Sequence, residues 1–387
     1  MSEWKEYILE DVIEKFIDYR GKTPKKTSFG IPLMTAKIIK GGRLLEPTEY
    51  IAIEDYLDWM TRGFPEINDV LLTTEAPLGE VALVKDKNVA LGQRIITLQT
   101  RKDLCDSIFL KYYLQSFEGQ ATLQSRASGS TVEGIKSAEL KKIEISLPPL
   151  NEQKTIALIL FNLDNKIDLL HSQNTTLEKM AETLFRQWFV EEANEDWEVK
   201  PLGRLVTVKR GGSPRPIQDY LSDTGLRWLK ISDATKENSP YIFEIKEHIK
   251  VEGLNKTTHL KAGTLVLSNS ATPGIPKILQ VDTCIHDGWL HFPKSHFSNE
   301  FLYLLFKKIR PELLQQGNGS IFTNLKTDIL KEYPIPIADN ESLLFFDNQV
   351  KPIFNKILKN QTQIRTLTAL RDTLLPKLMS GEVTVEC

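Results

Sequence analysis

An α+β chain is the fold class this sequence predicts: two similar mixed domains separated by two long helices that pair as an antiparallel coiled coil, giving an internal repeat. Three observations predict it. Two stretches carry apolar side chains in alternating steps of three and four, an asparagine interrupts each stretch, and the motifs preceding the first stretch recur before the second. A length of 387 residues also exceeds one ordinary core. The expected order is a domain over 1–150, a spacer helix over 151–195, a second domain over 196–340 and a C-terminal helix over 341–387.

In the first domain, short apolar runs at Val70–Thr74, Val81–Val84 and Ile95–Leu98 read as strands, with Gly, Pro and Asn marking the turns. Ser107–Phe117 reads as a helix. Leu147-Pro148-Pro149-Leu150 stops the last strand, and Asn151 with Glu152 and Gln153 suits a helix start. From there Ile156, Leu160, Leu163, Ile167, Leu170, Leu177, Ala181, Leu184 and Trp188 form one stripe, broken only by Asn174. Their mean spacing of about 3.5 is that of a coiled-coil seam, on a rod of about 50 Å.

The second domain repeats the first. Trp197-Glu198 answers Trp4-Lys5, and the basic loop Lys209-Arg210-Gly211-Gly212-Ser213-Pro214-Arg215 answers Arg20-Gly21-Lys22-Thr23-Pro24-Lys25-Lys26. Thr264–Ser268 answers Asp69–Thr73, Lys277–Val281 reads as a strand, Asn299–Ile309 as a helix, and Leu325-Lys326 answers Ile135-Lys136. The exit is Tyr333-Pro334-Ile335-Pro336. The last helix carries a seam of Phe346, Val350, Ile353, Ile357, Ile364, Leu367, Leu374 and Leu378, with Asn360 and Arg371 as polar exceptions. Run antiparallel with Asn174 opposite Asn360, the layers match, Leu170 to Ile364 and Trp188 to Phe346 among them. A buried Asn pair fixes register because any slip strands both amides in hydrocarbon. Arg371 must snorkel to the seam edge, and Pro352 either kinks this helix or starts it.

Composition is globular, with 41% hydrophobic and 26% charged residues. The sequence offers no apolar run of membrane-spanning length and no secretory leader. Cys105, Cys284 and Cys387 are scattered, with no CxxC, which predicts a reducing, cytoplasmic setting and no metal site. The net charge of −2 is uneven: residues 196–335 carry about +4 and residues 151–195 about −4. Basic loops joined to an acidic rod are compatible with nucleic acid or with ordinary solvated surface.

Catalytic motifs are missing. Gly21-Lys22-Thr23 resembles the end of a phosphate loop, but Phe16 occupies the place of its first glycine. The chain has no dinucleotide fingerprint, no Asn-Pro-Pro-aromatic box and no HExxH. No catalytic residue and no cofactor are therefore assigned. A single-chain DNA methyltransferase or nuclease, and a tandem-domain scaffold that binds no nucleic acid, are the competing readings.

The opening Trp, the basic Gly/Pro loop, Leu147-Pro148-Pro149-Leu150-Asn151-Glu152-Gln153, Leu184-Phe185-Arg186-Gln187-Trp188-Phe189 and the ending Leu374-Leu375-Pro376-Lys377-Leu378-Met379-Ser380-Gly381-Glu382 resemble the specificity subunits of type I restriction-modification systems. The likeness covers nearly the whole chain, and the helix segments are its most specific part. It implies two target recognition domains, each reading one half of a bipartite double-stranded DNA site. The helices would serve as ruler and as dock for two modification (adenine methyltransferase) subunits, with restriction subunits joining through those. Half-sites one helical turn apart, near 34 Å, lie on one side of the duplex, within reach of such a rod.

The candidate DNA contacts are Lys22, Thr23, Lys25, Lys26, Lys209, Arg210, Ser213 and Arg215 in the basic loops, to phosphate or groove. Thr73, Thr74, Glu75, Ser268, Asn269 and Ser270 at strand ends, and Ser128, Ser130, Asn318 and Ser320 in Gly-rich loops, are candidates for base edges. Asn174 and Asn360 set register. Phe161, Phe185, Phe189, Phe354 and Leu375, apolar but off the seam, either dock partners or are covered by the domains themselves.

Overall fold

The computed structural model describes residues 4–129, 132–236, 238–315 and 324–385. The chain forms two compact units, one joining Met1–Asp168 to Arg365–Cys387, the other Leu169–Ile364.

In the first unit an antiparallel sheet runs in the order Ile13–Asp18, Ile95–Thr100, Val70–Thr74, Leu78–Leu83. Alternate side chains of a strand face opposite ways. Val70 and Leu72 therefore join Phe109, Leu110 and Leu114 of helix Ser107–Gln115 in one core, while Leu71 joins Leu33, Met34 and Ile51 in another. A strand covered on both faces needs an unbroken apolar run, and Val-Leu-Leu supplies it. The second core is roofed by a smaller sheet ordered Ala90–Leu91, Ile31–Met34, Tyr50–Ile51, Lys26–Thr27. Asp106 caps the helix by accepting from the Phe109 N–H at 2.9 Å. Ser116 then ends it and caps a further helix, Phe117–Ser125, through the Gly119 N–H, so the helix expected over Ser107–Phe117 stops at Gln115 and a second follows it.

The second unit repeats this plan with one strand added to each sheet. One is ordered Val206–Arg210, Trp289–Ser295, Leu265–Ser268, Pro276–Leu279, Tyr241–Ile242; the other Leu221–Ser222, His248–Ile249, Leu226–Leu229, Thr283–Ile285, Thr258–Leu260. Individual hydrogen bonds recur. The Leu9 N–H donates to Ile143 O and the Leu202 N–H to Tyr333 O, both at 2.9 Å; Ile135 N–H donates to Thr74 O and Leu325 N–H to Asn269 O, at 2.9 and 2.7 Å. The repeat inferred from the motifs is thus present down to its backbone pairing.

The long helices are Leu150–Arg186, of 37 residues or about 55 Å, and Asn340–Met379, of 40. Gln153, buried, holds the start of the first: it accepts from the Asp106 N–H and donates to Leu104 O and Pro148 O. The second continues as one helix through Pro352, which lies exposed, so the helix does not start there.

Within the second unit the helices are antiparallel, Asn360 Nδ2 donating to Asn174 Oδ1 at 2.9 Å while Trp188 stacks on Phe345 at 5.0 Å. The Trp188 layer therefore differs from expectation, because Phe346 is turned into the core against Phe185 and Phe189. Within the first unit Arg371 does not snorkel freely. It bonds Asp164 at 2.9 Å and Asp372 at 2.7 Å. Asp164 also takes hydrogen bonds from Lys111 Nζ (2.9 Å) and the Tyr112 hydroxyl (2.7 Å), so a buried ionic cluster replaces the apolar layer. Burial alone would raise the Asp164 carboxyl; the Lys111 charge and the bonds from Lys111, Tyr112 and Arg371 outweigh it and hold the pKa at about 2.

Candidate nucleic-acid interface

Each unit brings three segments together: a basic loop, the tip of a β-hairpin, and the turn that enters the central strand. In the first unit these are 20–26, 74–79 and 92–94; in the second, 210–216, 269–274 and 286–288. The tips need left-handed backbone, which Ala76 (φ 51°) and Ala271 (φ 59°) adopt ahead of Gly79 and Gly274. A side-chain hydroxyl closes each hairpin from inside. Thr73 Oγ1 accepts from the Glu80 N–H at 2.9 Å, and Ser268 Oγ accepts from the Ile275 N–H at 2.8 Å and donates to Thr272 O at 2.6 Å.

These bonds correct part of the expected contact set. Thr73, Thr74, Ser268 and Asn269 are buried; Thr73 and Ser268 brace the hairpins, while the Thr74 hydroxyl has no hydrogen-bond partner among the described residues. Thr74 and Asn269 are consumed on both sides of the backbone, Thr74 N–H donating to Arg94 O and Asn269 N–H to Gly288 O. With its amide turned to suit its neighbours, the Asn269 side chain also accepts from Arg210 Nε at 3.2 Å, which commits that arginine to the loop base. Arg20 is committed likewise, donating to Ile135 O and pairing with Asp18.

The remaining candidates lie outward. Lys22, Thr23, Lys25, Lys26, Lys209 and Arg215 are exposed, Ser213 and Ser270 half-buried, and Ser128 is exposed where it pairs with Gly134. Lys26 is partnered by Glu49 at 2.9 Å, and that bond holds the Glu49 carboxyl below its usual range. Glu75 is paired with Arg94 at 3.0 Å. Ser130, Asn318 and Ser320 lie outside the described residues.

Two further bonds join loop to turn. Thr23 Oγ1 donates to Gln93 Oε1 at 3.2 Å, and Ser213 Oγ donates to Asp287 Oδ1 at 2.6 Å. Asp287 also pairs with Arg215, Oδ2 to Nη2 at 3.3 Å. In the second unit this loop walls a cleft of about 810 Å³ lined by Ser213, Arg215, Trp228, Lys230, Ser270 and His286. Burial drives the His286 imidazole pKa down, so the ring is neutral at pH 7 and its Nδ1 accepts from the Gly288 N–H. Gln93, Asp287, Lys230 and His286 escaped the sequence reading. The position of Asp287 opposite a Ser-Pro-Arg loop could have been found by extending the repeat through 90–94 and 284–288.

The off-seam apolar residues divide. Phe185 and Phe354 are buried, packed with Phe301, Phe346 and Tyr303 in the core of the second unit; Phe189 packs on Phe301 and Phe346. Phe161 and Leu375 pack against the core of the first unit. The second unit thus covers Phe185 and Phe354, whereas Phe161, Phe189 and Leu375 stay half-buried. Leu158, Leu169, Leu344, Phe345 and Leu370 stay exposed on the same helices.

The sequence model of the type I restriction modification DNA specificity domain matches residues 1–179 and again 194–366. The chain belongs to that family. It is 29% identical over 351 residues to the type I restriction enzyme MjaIX specificity subunit of Methanocaldococcus jannaschii, covering 84% of this chain and 79% of the relative. It is 23% identical over 325 residues to the HindI specificity subunit of Haemophilus influenzae, covering 80% and 67%. Its fold resembles the crystal structure of a type I restriction-modification S subunit from M. genitalium, with a TM-score of 0.67 at 18% identity over 100% of this chain and 97% of that one. Among the described residues no helix is long and apolar enough to cross a membrane, and no three metal-ligating side chains cluster.

Proposed function

We propose that this specificity-family chain is the non-catalytic, sequence-reading subunit of a type I restriction-modification complex, and that it reads a bipartite, asymmetric DNA target. The observation that carries this is the repeat: two units of one plan, each matched by the specificity-domain family, with different side chains at equivalent loop positions. A reader of two unequal half-sites needs that combination. Functionally we divide the chain into recognition domains over 1–150 and 196–340 and spacer helices over 151–195 and 341–387. The paired helices act as the ruler between half-sites.

Lys22, Lys25 and Lys209 are assigned to phosphate, where an ammonium acts as a point charge. Two methyltransferase subunits dock along the helices, on surface that includes Leu158, Leu169 and Phe345, and supply the pocket for a flipped adenine. Restriction subunits join through them, and the complex works in the cytoplasm. The test is co-expression with the modification subunit, followed by mapping of methylated adenines in a host lacking other methyltransferases. A single bipartite motif, lost when this chain is omitted, is expected. Methylation by this chain alone, or an unchanged map without it, refutes the reading.

A further inference from the structure

The two loop-to-turn bonds occupy equivalent places. Thr23-Pro24-Lys25 and Ser213-Pro214-Arg215 align in the repeat, both prolines are buried, and Gln93 and Asp287 each stand two residues beyond the strand that pairs with Ile31–Met34 or Leu226–Leu229. The device is shared, but its chemistry differs. Gln93 is neutral and bonds the loop hydroxyl, and among the described residues Lys25 has no acidic partner, so it projects as a bare cation. Asp287 holds Ser213 with one carboxylate oxygen and Arg215 with the other.

That difference separates phosphate from base contact. A carboxylate beside a cation cancels its pull on phosphate and repels phosphate directly, so an Arg–Asp pair is a poor backbone clamp. The same pair orients a planar guanidinium, which matches the O6 and N7 acceptors of guanine, and the carboxylate suits the N4 amino group of the paired cytosine. Both groups are solvent-facing, with side-chain exposures of 79% and 52%, and Arg215 lines the cleft. The Ser213 hydrogen bond keeps the carboxyl below its usual range, hence ionised at neutral pH.

Resting on the function proposed above, we infer that Arg215 reads a guanine in the half-site of the second unit and that Asp287 is the positioning residue that aims it. Lys25, its counterpart, contacts phosphate in the other half-site.

The test uses the whole complex with its modification subunits, comparing Arg215→Ala, Arg215→Lys, Asp287→Asn, Asp287→Glu and Lys25→Ala. Methylated sites are sequenced, and DNA retention is measured across salt concentrations. Arg215→Ala and Arg215→Lys should relax one G·C position of one half-site by roughly 10- to 100-fold and leave the other half-site intact. Asp287→Asn should relax the same position, and Asp287→Glu should restore it. Lys25→Ala should change no base preference but lower the salt slope by about one. Uniform weakening by Arg215→Ala with a reduced salt slope would make it a phosphate contact and overturn the inference. An unchanged motif in both Arg215 variants would overturn it too. Should the unaltered complex methylate no bipartite motif, the functional reading itself fails, a distinguishable result.

Discussion

Replacing Asp164 by alanine should destabilise the first unit severely. The carboxylate sits 2.9 Å from Lys111 Nζ, with side-chain exposures of 13% and 4%. It also accepts from the Tyr112 hydroxyl at 2.7 Å and from Arg371 at 2.9 Å. Arg371 keeps Asp372 when Asp164 is lost, so the damage falls on Lys111, whose ammonium would remain buried without a counter-charge. Removing one partner of a buried pair costs about 3–5 kcal/mol, chiefly through the stranded charge. Replacing both partners by apolar groups removes the stranded charge, so Lys111→Met with Asp164→Leu should be more stable than Asp164→Ala, the Tyr112 hydroxyl left without its acceptor keeping it about 1–3 kcal/mol below the natural protein. The assay is hydrogen exchange in graded urea, read by mass spectrometry on peptides covering Ser107–Gln115. A loss below about 1 kcal/mol for Asp164→Ala, or a double variant weaker than the single, would refute the reasoning.

The same carboxyl predicts an acid limb. Its folded pKa of about 2 lies below the unfolded value near 3.9. The contribution, about 2.5 kcal/mol, is full above roughly pH 5 and vanishes as the pH falls through 4 towards 2. Asp164→Asn should flatten that limb in acid unfolding curves. Phe354→Ala, at a wholly buried ring edge-on to Tyr303, should cost about 3–5 kcal/mol in the isolated chain; a stable variant that merely loses its methyltransferase partner would reinstate the docking role. For the amide pair, Asn174→Leu leaves the buried Asn360 amide only the longer 3.4 Å bond to Gln173 Oε1, so adding Asn360→Leu should raise the melting temperature above that of Asn174→Leu alone. A double variant weaker than both singles would show that the pair contributes net stability.

Much of this fold was legible because it rests on periodicity. The seam spacing gave both helices and their register, and Asn174 meets Asn360 because a polar residue in an apolar stripe has few places to go. Runs such as Val70-Leu71-Leu72 read as strands because covering both faces demands unbroken hydrocarbon. Arg371 was illegible for the opposite reason. Its partner Asp164 lies 207 positions away along the chain and is shared with Lys111, and no local pattern announces a charge that is neutralised in three dimensions.

The strand-end residues of the interface were less legible. Polar residues at strand ends attract a binding role, yet Thr73 and Ser268 occur there because a tight hairpin leaves one N–H that only a side-chain hydroxyl can reach. The same need at the same place in both units produces the same residue class, so recurrence at those positions marks architecture. Recognition of unequal half-sites requires the reverse, positions that are structurally equivalent and chemically different. Gln93 against Asp287, and Lys25 against Arg215, satisfy that criterion, each pair sharing a backbone setting while differing in charge or donor geometry. Agreement between the halves at Thr73 and Ser268 therefore marks scaffold, and under the proposed function the exposed loop stations that differ, Thr23 with Gln93 and Ser213 with Asp287, are the places to seek readers.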